Sequence, residues 1–433
     1  MTCHGKRIVL TTFGSLGDLH PYMAIALELQ RRGHRPVIAT SEIYRDKVTA
    51  AGLDFHAARP DLPPLTEAGD MIAKVMTAKT GPEYLFKNVL MPHLRESYQD
   101  LSEAVRGADL LVTHLITFAG PILAEQTGVP WVSTVLAPIS LWSAHDPPVL
   151  PTAPEFAFLR ALGPAFNRGL MQIGKHISAA WVAPVYRLRA ELGLPRGPHP
   201  LFEGQHSPAL VLALFSAALA APQPDWPPQT RLTGFPFYDR LDRSGMASEV
   251  ADFLDAGPPP IVFTLGSSAV FDAGSFFEAS IAATQQLGQR AVLLIGDACN
   301  LSPGVLPAGI AAFDYAPYSE IFPRAAAIVH QGGVGTTGQA MRAGKPMLIM
   351  PYSHDQPDHA ARITRLGSGR TLARHRYTAT RAAASLRKLL NDPKYAKNAA
   401  ALGRQVRAED GARAAADAIE VLANSERERR ARG

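Results

Sequence analysis

Cysteine is almost missing from this chain. Cys3 and Cys299 are the only two in 433 residues, and they fall in opposite halves, so no disulfide framework is expected and a reducing compartment, the cytoplasm, is the expected setting. Long apolar runs are missing too. No stretch reaches the ~18 uninterrupted apolar residues that a membrane-spanning helix needs, and the longest candidate, residues 210–221, reads as a buried strand and turn. Residues 1–5 lead straight into the apolar run 8–10, without the apolar region and small-residue cleavage site of a secretory signal. Charge of one sign does not dominate: 43 Lys and Arg against 38 Asp and Glu leave a net +5, part of it in the closing run 427–432, which reads as a frayed tail. With no aromatic-interleaved basic stripe and no zinc-finger or RNP-type motif, nucleic acid is not an expected partner. G-x-S-x-G is absent, which disfavours an α/β-hydrolase.

What is present is an alternation of short apolar runs and amphipathic segments. Residues 7–12 read as a strand, 13–19 as a Gly/Ser turn, and 21–32 as a helix with apolar residues at helical spacing. Gly33 and His34 close that helix, and 36–40, 109–113 and 129–135 continue the strands in the parallel manner of a doubly wound sheet. Residues 141–208 change to proline-punctuated helical segments, among them 156–170 and 173–192, suited to capping a pocket. Four prolines within 222–228 block regular structure and read as a domain linker. A second set follows, with strands at 261–265, 291–295, 326–330 and 346–350 and helices at 274–287 and 337–343.

A composition of 47% hydrophobic and 19% charged residues is that of a folded protein, and the length exceeds one ordinary core. The expected fold class is therefore α/β, with two doubly wound, Rossmann-like domains facing a central cleft. Residues 1–221 form the first domain, 222–244 the linker with the first strand of the second, and 245–404 the second domain. Residues 405–433 then supply a helix (412–422) that packs back toward the first domain, followed by a basic tail.

The most informative stretch is 326–339. An apolar strand runs into His330-Gln331-Gly332-Gly333-Val334-Gly335-Thr336-Thr337 and then a helix. Glycines admit close backbone approach and the first turn of a helix offers unpaired N–H groups with partial positive charge, so a diphosphate fits there. His330, Thr336 and Thr337 add donors. A second strand-end loop, Thr264-Leu265-Gly266-Ser267-Ser268, can face the same anion at the sheet edge. The bland reading of either loop is a glycine turn that only connects a strand to a helix.

Residues 314–356 resemble the donor signature of the family 1 glycosyltransferases of the GT-B fold. The match includes Tyr315-Ala316-Pro317, the His330 turn, Ala343-Gly344-Lys345-Pro346, and Asp355-Gln356 after Pro351-Tyr352. It extends to the N-terminal Gly14-Ser15-Leu16-Gly17-Asp18-Leu19-His20-Pro21, whereas 141–208 carries little of it. The resemblance is nearest to bacterial rhamnosyltransferases and sterol- and antibiotic-type enzymes. It implies that Tyr315 and the Ala316 backbone recognise the base, that His330 with Gly332, Gly333, Val334, Gly335 and Thr336 hold the diphosphate, and that Asp355 and Gln356 hold sugar hydroxyls. Gly266, Ser267 and Ser268 join the donor site. Plant-type members carry Glu where Gln339 stands, and that Glu holds both ribose hydroxyls. The neutral amide resembles relatives that use dTDP sugars, which favours dTDP-rhamnose over UDP-glucose.

An inverting transfer needs a general base at the acceptor hydroxyl and a stabilised leaving diphosphate. Many family members place a catalytic His three residues before the helix-starting proline, and Asp18 stands there, as in the Gly-x-x-Gly-Asp relatives in which Asp is the proposed base. His114, after the strand 109–113, is the expected neighbour that keeps Asp18 poised, where plant-type enzymes keep an Asp. The dyad would then be present with its members exchanged, and His20 is the competing base. The bland readings are a helix cap for Asp18 and a satisfied buried polar residue for His114. Ser15 is placed to hydrogen-bond the acceptor or the donor phosphate. No Asp-x-Asp occurs, so neither a metal nor another cofactor is expected, and helix dipole, backbone donors and His330 must neutralise the leaving group.

Phe118, Trp142 and Phe156 are the expected acceptor lining, although each is individually more typical of core. They point to a phenolic, lipid or polyketide-like partner, a class compatible with peripheral membrane contact. The expected function is transfer of rhamnose or glucose from a dTDP- or UDP-sugar to a hydroxyl of such a molecule. A nucleotide-sugar epimerase, which would release free sugar isomers without an acceptor, and a non-catalytic nucleotide-sugar-binding protein remain as alternatives.

Overall fold

The computed structural model describes residues 5–63, 68–239, 245–301 and 304–432, with the side chains of 298 and 426–432 left out. Cys3, the end of the expected linker (240–244) and the side chains of the basic tail therefore lie outside the described residues. Two all-parallel sheets form the frame. The first has seven strands in the order β3-β2-β1-β4-β5-β6-β7: β1 Arg7–Thr11, β2 Arg35–Thr40, β3 Asp54–Ala57, β4 Leu110–His114, β5 Trp131–Val135, β6 Val211–Ala213 and β7 Thr230–Leu232. The second has six in the order β10-β9-β8-β11-β12-β13: β8 Ile261–Thr264, β9 Ala291–Leu294, β10 Ile310–Phe313, β11 Ala327–His330, β12 Met347–Ile349 and β13 Gly369–Thr371.

Helices cover both faces, so the central strands are continuous apolar runs; Ile8, Val9 and Leu10 of β1 and Ile328 and Val329 of β11 are fully buried. Strand order reverses between β1 and β4 in the first sheet and between β8 and β11 in the second. Loops that leave the C-terminal ends of such strand pairs diverge and open a crevice; Ser15 and Asp18 follow β1, His114 ends β4, Gly266, Ser267 and Ser268 follow β8, and the His330 turn follows β11.

Several boundaries differ from expectation. The first helix spans Leu16–Arg31 and contains Pro21 in its interior. Ser15 is its N-cap and forms a capping box with Asp18, and this early cap outweighs the proline, which lies in the second turn and costs the helix one backbone hydrogen bond. The second glycine turn is shorter than expected, because the helix Val334–Ala343 starts at Val334. The proline-rich run 222–228 is a loop within the first domain. The strand after it, β7, pairs in parallel with β6 of the first sheet and does not open the second.

Two segments cross between the domains. The last helix, Gly411–Arg432, buries Ala415, Ala416 and Ile419 in the core of the first domain. There Arg32 bonds Asp417 and Glu420 at 2.6 Å each, and His34 meets Glu420 at 2.8 Å. In the other direction, Ala68, Ile72 and Met76 pack into the core of the second domain around Val270 and Phe276. Among the described residues no helix is long and apolar enough to cross a membrane.

Candidate active site

Asp18 sits at the N-terminus of the Leu16–Arg31 helix, beyond the end of β1. Its Oδ2 accepts the Ser15 N–H at 2.7 Å and the Ser15 hydroxyl at 3.2 Å. This reciprocal cap fixes the carboxylate, and it needs Gly14. That residue has φ +131, and a Cβ there would lie 2.3 Å from Asp18 Oδ2. The other oxygen, Oδ1, faces His114 Nε2 at 3.5 Å.

His114 ends β4, and its Nδ1 accepts the Ile116 N–H at 3.4 Å, which puts a ring proton on Nε2, toward Asp18. The side chain of Asp18 is 30% exposed and that of His114 3%, so of the pair Asp18 is the one presented to the cleft. The cap reading of Asp18 and its pairing with His114 thus coexist in one side chain. His20 points elsewhere. Its ring lies 5.0 Å from that of Tyr238, and burial, with Lys47 adding to it, pulls its pKa down to about 4.

Across the cleft, β11 delivers His330 and the turn that follows. His330 is fully buried, and burial, helped by His359, pulls its pKa down to about 3, so the ring is neutral at pH 7. Its Nδ1 accepts the Gly332 N–H at 3.0 Å, which leaves the proton on Nε2, an atom with no partner among the described residues. Gly332 has φ +93, and a Cβ there would meet Ile349 at 2.9 Å.

Gly333 is the N-cap of the helix Val334–Ala343, whose first N–H groups, on Val334, Gly335 and Thr336, have no intrahelical acceptor. The loop after β8 lies against this turn: a Cβ on Gly266 would fall 2.3 Å from Gln331 Nε2, so the Gln331 side chain occupies the space that the glycine leaves. Ser267 and Ser268 follow in the short helix Gly266–Ala269.

Other donor candidates are placed unevenly. Ala316 is buried and Tyr315 is 68% exposed, both in the loop after β10. Gln339 is committed to a surface network. Its Nε2 donates to Asp239 at 3.0 Å and its Oε1 accepts from Arg342 at 2.8 Å. Asp355 precedes the helix Gln356–Arg365, and burial raises its carboxyl above the ordinary range; the imidazoles of His359 and His354 oppose this and the charge of Asp18 adds to it. Gln356 Oε1 accepts the Tyr352 N–H at 2.9 Å.

The two halves meet here. A Cβ on Gly335 would lie 3.8 Å from Cα of Gly17, so the N-termini of the two helices abut across the cleft. The charge of Asp18 is felt at both His354 and Asp355.

Of the three aromatic candidates, Phe118 is buried and borders a small cavity beside His114. Trp142 is half-buried, stacks on Phe202 and donates to the Leu201 carbonyl at 2.9 Å. Phe156 does not join them. It is 54% exposed beside Phe158, on the segment Pro154–Leu162, which buries no side chain fully.

Known proteins settle what this architecture is. Residues 8–99 match the glycosyltransferase family 28 N-terminal domain, and residues 280–422 match the erythromycin biosynthesis protein CIII-like C-terminal domain. The O-mycaminosyltylonolide 6-deoxyallosyltransferase of Streptomyces fradiae is 32% identical over 431 residues, covering 97% of this chain and 98% of that protein. The chain belongs to the family 1 glycosyltransferases. This glycosyltransferase is also 27% identical to the sterol 3-beta-glucosyltransferase of Leptosphaeria maculans over 95% of its own length, though it spans only 28% of that longer protein. The crystal structure of glycosyltransferase VinC in complex with dTDP shares its GT-B fold, with a TM-score of 0.67 at 21% identity, covering 97% of this chain and 100% of that one.

Gly333, Gly335 and Gly338 have the G-x-G-x-x-G spacing of dinucleotide-binding turns. In this glycosyltransferase the third glycine serves packing, since a Cβ on Gly338 would meet Phe235 at 3.0 Å.

Sequence reasoning passed over three side chains of this site. The Tyr318 hydroxyl bonds Thr264 Oγ1 at 2.8 Å and ties the loop after β10 to β8. Gln331 wedges the two glycine loops apart. His354, with φ +55, donates from Nε2 to the Val75 carbonyl at 3.0 Å and joins the donor loop to the first domain. Two left a trace in the sequence, Gln331 beside His330 and His354 beside Asp355-Gln356.

Proposed function

We propose that the enzyme transfers a hexose, rhamnose or glucose, from a dTDP- or UDP-sugar to a hydroxyl of a hydrophobic small molecule, with inversion and without a metal ion. The observation that carries this reading is the approach of Gly17 to Gly335, which sets the Asp18 carboxylate opposite the N-terminus of the donor helix. The nucleotide diphosphate lies on the N–H groups of Val334, Gly335 and Thr336 and on the neutral Nε2–H of His330. Asp355 and Gln356, whose amide nitrogen points away from the bond to Tyr352, take the sugar hydroxyls.

Asp18 removes the proton of the acceptor hydroxyl as that oxygen attacks the anomeric carbon. The bond from that carbon to the diphosphate breaks with its electron pair, and the departing charge meets donors already in place. His114, buried behind Asp18, holds the carboxylate in position.

A dTDP donor is preferred because the Gln339 amide is already bonded to Asp239 and Arg342. A neighbour crystallised with dTDP supports the same choice. Sterol and tylonolide names among the relatives support an apolar polycyclic or polyketide acceptor.

The test is an assay of dTDP-rhamnose and UDP-glucose against a phenolic and a hydroxy-fatty-acid acceptor, with product identified by mass. Asp18→Asn should lower turnover by at least about 100-fold while dTDP affinity stays within about twofold. His330→Ala should weaken dTDP binding about tenfold. Full turnover in Asp18→Asn would remove the base assignment.

A further inference from the structure

A small cavity in the first domain is lined by His114, Phe118, Ile122, Val185, Pro200 and Gln205 among others. Arg189 also borders it, but its guanidinium is committed to Glu125 and to the Pro195 carbonyl, each at 2.7 Å. Gln205 is different. Its residue is 4% exposed, and its Nε2 donates to the carbonyls of Ser140 at 3.2 Å and Leu201 at 2.9 Å. Carbonyl oxygens only accept, so the amide cannot be turned round. Its Oε1 is left facing away from them, buried and without a donor among the described residues.

A desolvated amide oxygen without a donor is costly, and native folds rarely keep one without use. Leu201 is itself pinned, because its carbonyl also takes the Trp142 indole N–H at 2.9 Å. His114 shares the cavity wall while its Nε2 faces Asp18 at 3.5 Å, so the cavity begins one side chain behind the candidate base.

We propose that this cavity receives a substituent of the acceptor that carries a hydrogen-bond donor, an O–H or N–H, which bonds Gln205 Oε1 while another hydroxyl of the same molecule lies at Asp18. The assignment rests on the transferase reading above and narrows its acceptor to an apolar molecule with at least two donor groups. An ether or ketone at that position would set two acceptor oxygens against each other in a dry space, and such a site discriminates strongly against it.

The probes are 2,7-dihydroxynaphthalene and 2-naphthol, which share a frame and differ by one hydroxyl. Calorimetric titration of the dTDP-loaded protein should show the diol binding about tenfold more tightly, and in Gln205→Met the two affinities should fall within about twofold. Because Gln205→Met also deletes the bonds to Ser140 and Leu201, a second variant is needed. Leu115→Phe narrows the cavity from another part of its wall and should erase the same preference. Equal affinities in the wild type, or a preference that survives both variants, overturn the proposal. Product formation from dTDP-rhamnose, followed in the same samples, separates the two readings: a diol preference without transfer counts against the transferase reading and leaves the cavity assignment standing.

Discussion

Burial makes His330 a donor that does not depend on solution pH near neutrality, and it also makes the residue a liability in acid. The unfolded chain binds a proton at this imidazole below about 6.5, the folded chain only below about 3. Between those values unfolding takes up a proton, so the contribution is present above pH 6.5 and is lost as pH falls. His20 and His206, both drawn to about 4 by burial, act in the same direction. Urea unfolding at pH 7, 6 and 5 should show stability falling with acid. His330→Asn should flatten that fall by about one proton, roughly 1.4 kcal/mol per pH unit. An unchanged slope would mean that His330 is not held neutral by the fold. At this scale the sequence exposed the residue types and their order, but not which atom of His330 is free or that Asp18 divides its two oxygens between a cap and a histidine.

Among the elements, the helix Gly411–Arg432 packs back on the first domain as expected, but its own residues do not specify which face receives it. Its apolar stripe fits any apolar face, and it lies on the first helix because the chain returns across the cleft and Arg32 and His34 receive Asp417 and Glu420. Ile419 is fully buried there, in the core of the domain farther away in sequence. Ile419→Asp places an unpaired carboxylate in that core and should cost about 3 kcal/mol or more. Limited proteolysis should then cut within residues 5–230 before it cuts the second domain; cleavage confined to the second domain would contradict this placement. Strands and their periodicity were legible because buried parallel strands are short continuous apolar runs. Helix starts were less so: Pro21 reads as a start by itself, and the Ser15–Asp18 capping box overrides it.

For the molecule as a whole, the two domains are joined by buried charge as well as by chain. Arg362 is nearly fully buried and bonds Asp358 of its own helix at 2.7 Å and Asp146 of the first domain. Asp146 also meets Arg160 at 2.8 Å and Arg365 at 3.3 Å. Burial alone would raise the Asp146 carboxyl, yet Arg362, Arg365 and Arg160 hold it below the ordinary range. This cluster couples the segment after β5 to the helix that begins at Gln356.

Asp146→Ala should cost roughly 2 kcal/mol, because it leaves a buried guanidinium with one partner in place of two. It should also lower acceptor turnover while dTDP binding to the isolated donor loops is kept. Asp146→Leu with Arg362→Met should recover stability without recovering turnover, and a double variant as active as the wild type would show that the bridge serves stability alone. No local pattern announces the bridge: Asp146 and its cross-domain partners Arg362 and Arg365 stand more than 200 positions apart in the chain, and each reads separately as a surface charge.

What the sequence by itself determined is the α/β class, the pair of glycine-marked loops and the family they belong to, because these follow from local periodicity, backbone freedom and motif spacing. Tertiary structure alone decided that β7 completes the first sheet, that Phe156 stands in solvent, and that Gln205 is left with one unanswered oxygen. Those facts depend on which distant groups exclude water from one another, and solvent exclusion is a property of the packed chain, not of any segment in it.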